Sequence, residues 1–294
     1  MERLLEQIIN GLQLGFVYAL IALGYTMVYG IIKLINFAHG DVFMIGAFIG
    51  YFAYTFWGFS LWGAVLIAMI LCAVLGVLIE RIAYRPLRYA PRIAALISAL
   101  GVSLFLEYFC SLKFVFGPNF RVVQPPVKQI HWNLGGIPIT NIQIIIVAVV
   151  ILLLLVLQYL VYRTKIGTAM RAVSFDHDAA RLMGINVDFI IAFTFALGSA
   201  LAAAGGVLYT LAYPQIHPFM GIMPGLKAFT AAVLGGIGII PGAVLGSLIM
   251  GQVETLTAAY LTSQMRDAIA FLILIIVLLV RPSGILGRGG PEKV

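Results

Sequence analysis

Charge is scarce in this sequence. Of 294 residues, 18 are Lys or Arg and 11 are Asp or Glu, 10% in all, against about 25% in soluble domains. A chain so poor in charge cannot cover itself in water, and 62% of it is hydrophobic, with a mean hydropathy of +1.08. Cysteine is nearly missing: Cys72 and Cys110 both lie in apolar runs, which argues against a disulfide or a metal site and for inert buried thiols. The four histidines, His39, His131, His177 and His217, show no metal-ligand spacing and join no Ser-His-Asp set, so an intramembrane enzyme is not indicated. The sequence also has no G-x-x-x-x-G-K-[ST]. Its glycine-rich "GGIGIIPG" lacks the lysine and hydroxyl that hold phosphates and Mg²⁺. The net charge of +7 does not point to nucleic acid, because the basic residues gather in particular loops.

Long apolar runs are abundant. They fall at about 8–32, 42–57, 61–80, 93–112, 141–162, 189–211, 226–238, 242–262 and 268–280. Lipid offers no partner to a bare backbone, so only helices or closed barrels cross it, and the alternating strands of a barrel are absent. The expected fold is all-α, a polytopic membrane bundle of about 8 spans with discontinuous helices, forming one transmembrane domain over 1–294. The leading stretch carries Glu2, Arg3 and Glu6 and no small-residue cleavage site, so it reads as a retained first helix rather than a secretory signal.

Positive residues mark cytoplasmic loops. "RIAYRPLRYAPR" at 81–92 holds Arg81, Arg85, Arg88 and Arg92 and no acid, which places it inside. The loop at 113–141 is then outside, and the polar loop at 163–188 and the C-terminal "RPSGILGRGGPEKV" are inside. These assignments require 226–262 to start and finish outside. Its first piece is too short to span, since a helix rises ~1.5 Å per residue and the hydrocarbon needs ~20 residues. It is therefore expected to be a discontinuous pair around Pro241, tolerated only where protein or water surrounds it. Arg266 and Asp267 fall at the outer mouth of the last span. Glu107 and Glu254, the acids well within apolar segments, sit near the predicted ends, where snorkelling or interfacial placement accounts for them.

Small residues recur every four positions at Gly11, Gly15 and Ala19, at Gly198, Ala202 and Gly206, and at Gly238, Gly242 and Gly246, a spacing that lets helices approach closely in lipid. An internal similarity also shows. "LGYTMVYGIIKLINFAHGDVFMIGAF" and "AGGVLYTLAYPQIHPFMGIMPGLKAF" each read as a helix ending in Tyr (Tyr29 matching Tyr209), a polar break and a small-residue restart. Such repeats often flank a transport path.

In the loop at 163–188, Thr168 to Val173 has helical character, and Asp176 can cap a second short helix, "HDAARLM", which Gly184 can end. Ala179, Ala180, Leu182 and Met183 give that helix an apolar side with no membrane to bury it in. It either lies on its own protein or docks another.

"GxxxRAVSxDxxAARLMGIN" in this loop and "MVYGIIKLINFAHGD" near the start resemble the LivH-type permease family of branched-chain amino acid ABC importers, with aspartate at 178 where importer permeases carry glutamate. The resemblance runs from about 11 to 287 and implies a type II-like ABC importer permease in the bacterial inner (plasma) membrane. It further implies that the loop is the coupling element that fits a cleft on an ATPase subunit. The coupling candidates are Arg171, Asp176, Asp178, Ala179, Ala180 and Gly184. The implied partners are a second homologous permease, two ABC ATPase subunits that bind ATP-Mg, and a periplasmic or extracellular amino-acid-binding protein. This chain itself would hold no cofactor. The implied substrates are leucine, isoleucine and valine; urea, short amides or other hydrophobic amino acids are the alternatives within the family. An ion-coupled secondary transporter would need intramembrane acids for coupling, and a channel would need no docking loop.

The stretch "KLINFAHGD" has two readings. Asn36, Gly40 and Asp41 suit a turn between helices, while Asn36 and His39 could offer hydrogen bonds to a zwitterion along a path. Candidate path residues are Asn36, His39, Gly40, Asp41, His217, Gly235 and Gly236. If 8–32 and 42–57 both span, the N-terminus is outside and the turn cytoplasmic; if the break is re-entrant, the N-terminus is inside.

Overall fold

The protein is described by a computed structural model covering residues 2–287 except Tyr89, Pro125, Gly135 and Gly136. Apolar helices dominate: α1 (Glu2–Ile32), α2 (His39–Thr55), α3 (Leu61–Ile79), α4 (Arg92–Ser111), α5 (Asn141–Arg163), α6 (Lys165–Phe175), α7 (His177–Leu182), α8 (Val187–Ala212), α9 (Ile222–Gly235), α10 (Ile240–Tyr260) and α11 (Arg266–Val280). Helix α3 runs on through a π turn, Glu80–Tyr84, and a 3-10 turn, Arg85–Leu87. The external loop forms a hairpin of β2 (His131–Leu134) and β3 (Ile137–Thr140), while β1 (Arg121–Val122) pairs antiparallel with β4 (Gln215–Ile216).

Six helices among the described residues are long and apolar enough to cross a membrane. They fall into two sets. Helices α1 and α8 are 78% and 67% buried over their most apolar windows and form the centre, whereas α4 and α5 are only 28% buried and present Leu, Ile and Phe outward. An exposed apolar face costs nothing in lipid, so packing here rests on close fit rather than on hydrophobic burial. The small-residue stripes supply that fit. Gly11 and Gly15 meet α10 at Gln252 and Leu248, Gly198 and Gly206 meet α1 and α2, and Gly242 and Gly246 meet α9. Gly238 does not belong to its stripe: it lies in the α9–α10 turn with φ +92°.

The N-terminus is on the outer side. The arginine turn after α3 and the α6–α7 hairpin share one end of the bundle, because Arg85 bonds Asp188 in the first turn of α8 at 2.6 Å. The last turn of α1 is at that end too, where the Ile31 carbonyl meets His177 Nε2 at 2.9 Å. At the opposite end Asn10 of α1 accepts from Gln143 in the first turn of α5 at 2.7 Å. Helix α1 therefore runs from outside to inside.

Neither α2 nor α9 spans alone. They have 17 and 14 residues, and each follows a break, 33–38 and 213–221. Tyr29 and Tyr209 stand at matching places, but each helix runs three residues past its tyrosine rather than ending in it. The two units run in opposite senses. Helix α2 leads outward to Phe52, whose ring lies beneath Arg121 of the outer loop, while α9 leads inward to Leu234 and Gly235, whose carbonyls take the N–H groups of Ile285 and Leu286. The starts of the two short helices meet within the bundle: a Cβ on Gly40 would come within 2.6 Å of the Gly221 carbonyl. Helix α10 then returns outward over 21 residues, so the expected discontinuous pair is one short helix and one full one. The C-terminal stretch packs at the inner end through 287; the remainder of "RPSGILGRGGPEKV", residues 288–294, lies outside the described residues.

Candidate functional site

Three places carry polar chemistry: the break at 33–41, the ion network at the outer end of α9–α11, and the cytoplasmic hairpin.

The break is neither a surface turn nor a loop re-entering from the outer side. Lys33 takes a left-handed backbone, φ 55°, which reverses the chain at the end of α1, and the following segment climbs back into the bundle before α2 begins. Asn36, His39 and Asp41 are all buried to 2% exposure or less. Asn36 Oδ1 accepts from the Tyr84 hydroxyl at 3.1 Å, tying the break to the arginine turn, where Arg88 bridges Glu80 at 2.8 Å and Asp188. The His39 ring fills the place a side chain on residue 24 would take, since a Cβ on Gly24 would sit 2.0 Å from its Nε2. Among the described residues its Nε2 has no hydrogen-bond partner, and the Tyr25 ring packs edge-on to the imidazole, centroids 4.9 Å apart. Asp41 accepts from Ser103 of α4 at 2.5 Å.

The other sequence-proposed path residues lie elsewhere. His217 is half-buried in the outer break, its ring 4.5 Å from Phe120, with Nδ1 accepting the Phe219 N–H. Gly235 and Gly236 lie at the cytoplasmic turn, where the Gly242 carbonyl closes on Gly235 and residue 287 on Gly236. Gly40 meets Gly221 rather than these two, so the set forms three separate places.

Snorkelling does not describe the two acids. Glu107 is 7% exposed and Glu254 3%. Glu254 Oε1 takes Lys227 Nζ at 2.7 Å and Arg266 at 3.4 Å, its Oε2 takes the Tyr18 hydroxyl at 2.8 Å, and Lys227 also reaches Asp267 at 2.7 Å. Two cations and two anions thus cancel, and α1, α9, α10 and α11 are joined. Sequence reasoning noted Glu254, Arg266 and Asp267 but missed Lys227, a lone cation in an apolar stretch, and nothing local names its partner 27 positions away. Glu254 and Arg266 also face an outer cavity of about 660 Å³ bounded by Glu6, Asn10, Gln143 and Thr255.

The cytoplasmic hairpin has the predicted build. Asp176 caps α7, accepting the N–H groups of Asp178 at 2.8 Å and Ala179 at 3.0 Å, and these bonds hold its carboxyl below the usual carboxylate range. Gly184 ends the turn at φ +80°. Ala180 faces inward, buried, while Ala179 and Asp178 face out. Arg171 is turned toward its own chain, donating to the carbonyl of Val161 and to Thr168. Sequence reasoning singled out Leu182 and Met183 on the apolar side but not Phe175; at the tip Phe175, Leu182 and Met183 are 96%, 89% and 82% exposed.

A multi-pass helical bundle with paired broken helices of opposite sense, a charge-neutral internal network and an apolar cytoplasmic tip is the build of a membrane transport protein. The chain belongs to the family described as branched-chain amino acid transport system / permease component, whose model matches residues 7–278. It is similar to the high-affinity branched-chain amino acid transport system permease protein LivH of Salmonella typhimurium, 45% identical over 99% of this chain and 97% of that one. It is also similar to the corresponding permease BraD of Pseudomonas aeruginosa, 43% identical over 99% and 98%. A probable LivH permease of Methanocaldococcus jannaschii is 30% identical over 91% and 88%.

Proposed function

We propose that this chain is the translocating permease of an ABC importer that carries leucine, isoleucine and valine into the cytoplasm of a bacterial cell across its inner membrane. Hydrolysis of ATP-Mg belongs to two partner ATPase subunits, and this chain holds no cofactor. A second permease and an external amino-acid-binding protein complete the assembly.

The exposed tip of Phe175, Leu182 and Met183 carries this reading. Three large apolar side chains project from the cytoplasmic end, clear of lipid, and large exposed apolar groups mark an interaction site. Asp178, Ala179 and Gly184 frame the tip, Asp176 fixes its helix, and Arg171 fixes α6 on α5. His177 links α7 to the end of α1, so displacement of the tip pulls on the chain just before the break. Movement there shifts Asn36 and His39 relative to Gly24 and Gly40, at the meeting point of the two short helices. Substrate selection falls to the binding protein, since a path that binds tightly cannot release.

The test is uptake of labelled leucine in vesicles containing the permease and its cognate partners, with isoleucine, valine, urea and short amides as competitors. Uptake should require ATP and be competed by isoleucine and valine. Competition by urea or amides alone would reassign the substrate, and uptake persisting without the ATPases would reject the importer mechanism in favour of ion coupling.

A further inference from the structure

A second cavity, of about 600 Å³, opens at the cytoplasmic end between α1, the α5–α6 elbow and the α9–α10 turn. Among the described residues its charged lining consists of Lys33 and Arg171, and no acid lines it. Neither cation meets a carboxylate among the described residues: Lys33 Nζ lies over the Tyr29 ring at 5.8 Å, and Arg171 spends its guanidinium on the Val161 carbonyl, Thr168 and the Tyr162 ring. Helix α10 begins at the cavity wall with Ile240 and has no side-chain cap, so its positive end adds to the two cations. Thr26, 1% exposed, also lines the cavity, and its Oγ1 has no hydrogen-bond partner among the described residues. The rest of the wall is apolar, including Met27, Val161 and Ile239.

From this combination we infer that the cavity binds the phosphate head group of an anionic phospholipid of the cytoplasmic leaflet. The phosphate sits between Lys33, Arg171 and the start of α10, and the apolar wall takes the glycerol and upper acyl carbons. The depth fits, because Ile31 next to the cavity is at the level of the cytoplasmic hairpin. Basic pockets between helices on this side of a membrane recognise such head groups, each cation contributing about 1 kcal/mol, which for two predicts roughly a thirtyfold preference over a zwitterionic lipid. This inference needs only the membrane topology and stands apart from the transported substrate.

Native mass spectrometry of the purified complex reads the outcome. Phosphatidylglycerol should be retained in preference to phosphatidylcholine, and Lys33→Gln should reduce that preference about fivefold, whereas Lys33→Arg keeps it. Ser174→Glu, which adds a carboxylate at the cavity wall and gives up the Ser174 hydroxyl's bond to the Arg171 carbonyl but none of the guanidinium's contacts, should also reduce it. Equal retention of the two lipids, or unchanged preference in both Lys33→Gln and Ser174→Glu, would overturn the inference. Displacement of the lipid by millimolar inorganic phosphate with equal stabilisation would show a site for soluble phosphate and overturn the lipid assignment.

Discussion

Gly24 and His39 act as one unit, because the imidazole occupies the volume a side chain at residue 24 would fill. Gly24→Ala should lower stability by about 1–3 kcal/mol, the usual cost of overpacking, read as a lower unfolding temperature in detergent. The double variant Gly24→Ala/His39→Ala should recover most of that loss; no recovery would mean the clash lies elsewhere. A second residue-scale test concerns Lys227. Lys227→Met leaves Glu254 buried with reduced compensation, and breaking a buried pair costs about 3–5 kcal/mol. Lys227→Met/Glu254→Met should cost less than the single change, and thermal unfolding of both variants measures the difference. The sequence showed Lys227 and Glu254 as isolated charges in apolar runs, yet their pairing stayed hidden. Which charges meet depends on how α9, α10 and α11 pack, and that lies outside any local window.

Among the elements, the hairpin of α6 and α7 was legible because its signals are local. A capping aspartate, a short amphipathic run and a terminating glycine all act within a few residues. The outward direction of Leu182 and Met183, and the inward one of Ala180, came only from packing against the bundle. Leu182→Glu should weaken capture of the ATPase subunits roughly thirtyfold, as loss of an apolar anchor does, in pull-down from membranes; unchanged capture would remove the tip from the interface. His177→Ala tests transmission rather than docking. The assembled complex should still hydrolyse ATP while uptake falls roughly tenfold, within the range that a coupling residue commands. Uptake at the unsubstituted rate would show that the link from α7 to Ile31 carries no motion.

At the scale of the whole molecule, the two broken-helix units run in opposite senses, and Glu2 and Gly287 lie on opposite sides. A membrane-impermeant thiol reagent should label Glu2→Cys from outside and Leu182→Cys only from the cytoplasm, with the buried Cys72 and Cys110 silent. Labelling of both from one side would invert the topology. The sequence by itself determined a lipid-embedded helical bundle, because so little charge excludes water, and it set the cytoplasmic side, because arginines cluster at 81–92. It also marked the two breaks. Whether "KLINFAHGD" was a surface turn or a break buried within the bundle was decided only by tertiary structure. The chain turns at the cytoplasmic end and then buries Asn36, His39 and Asp41 against Tyr84, Gly24 and Ser103. The physical reason is that a polar group in lipid must find a partner or a cavity, and the sequence names the group while only the fold supplies its surroundings.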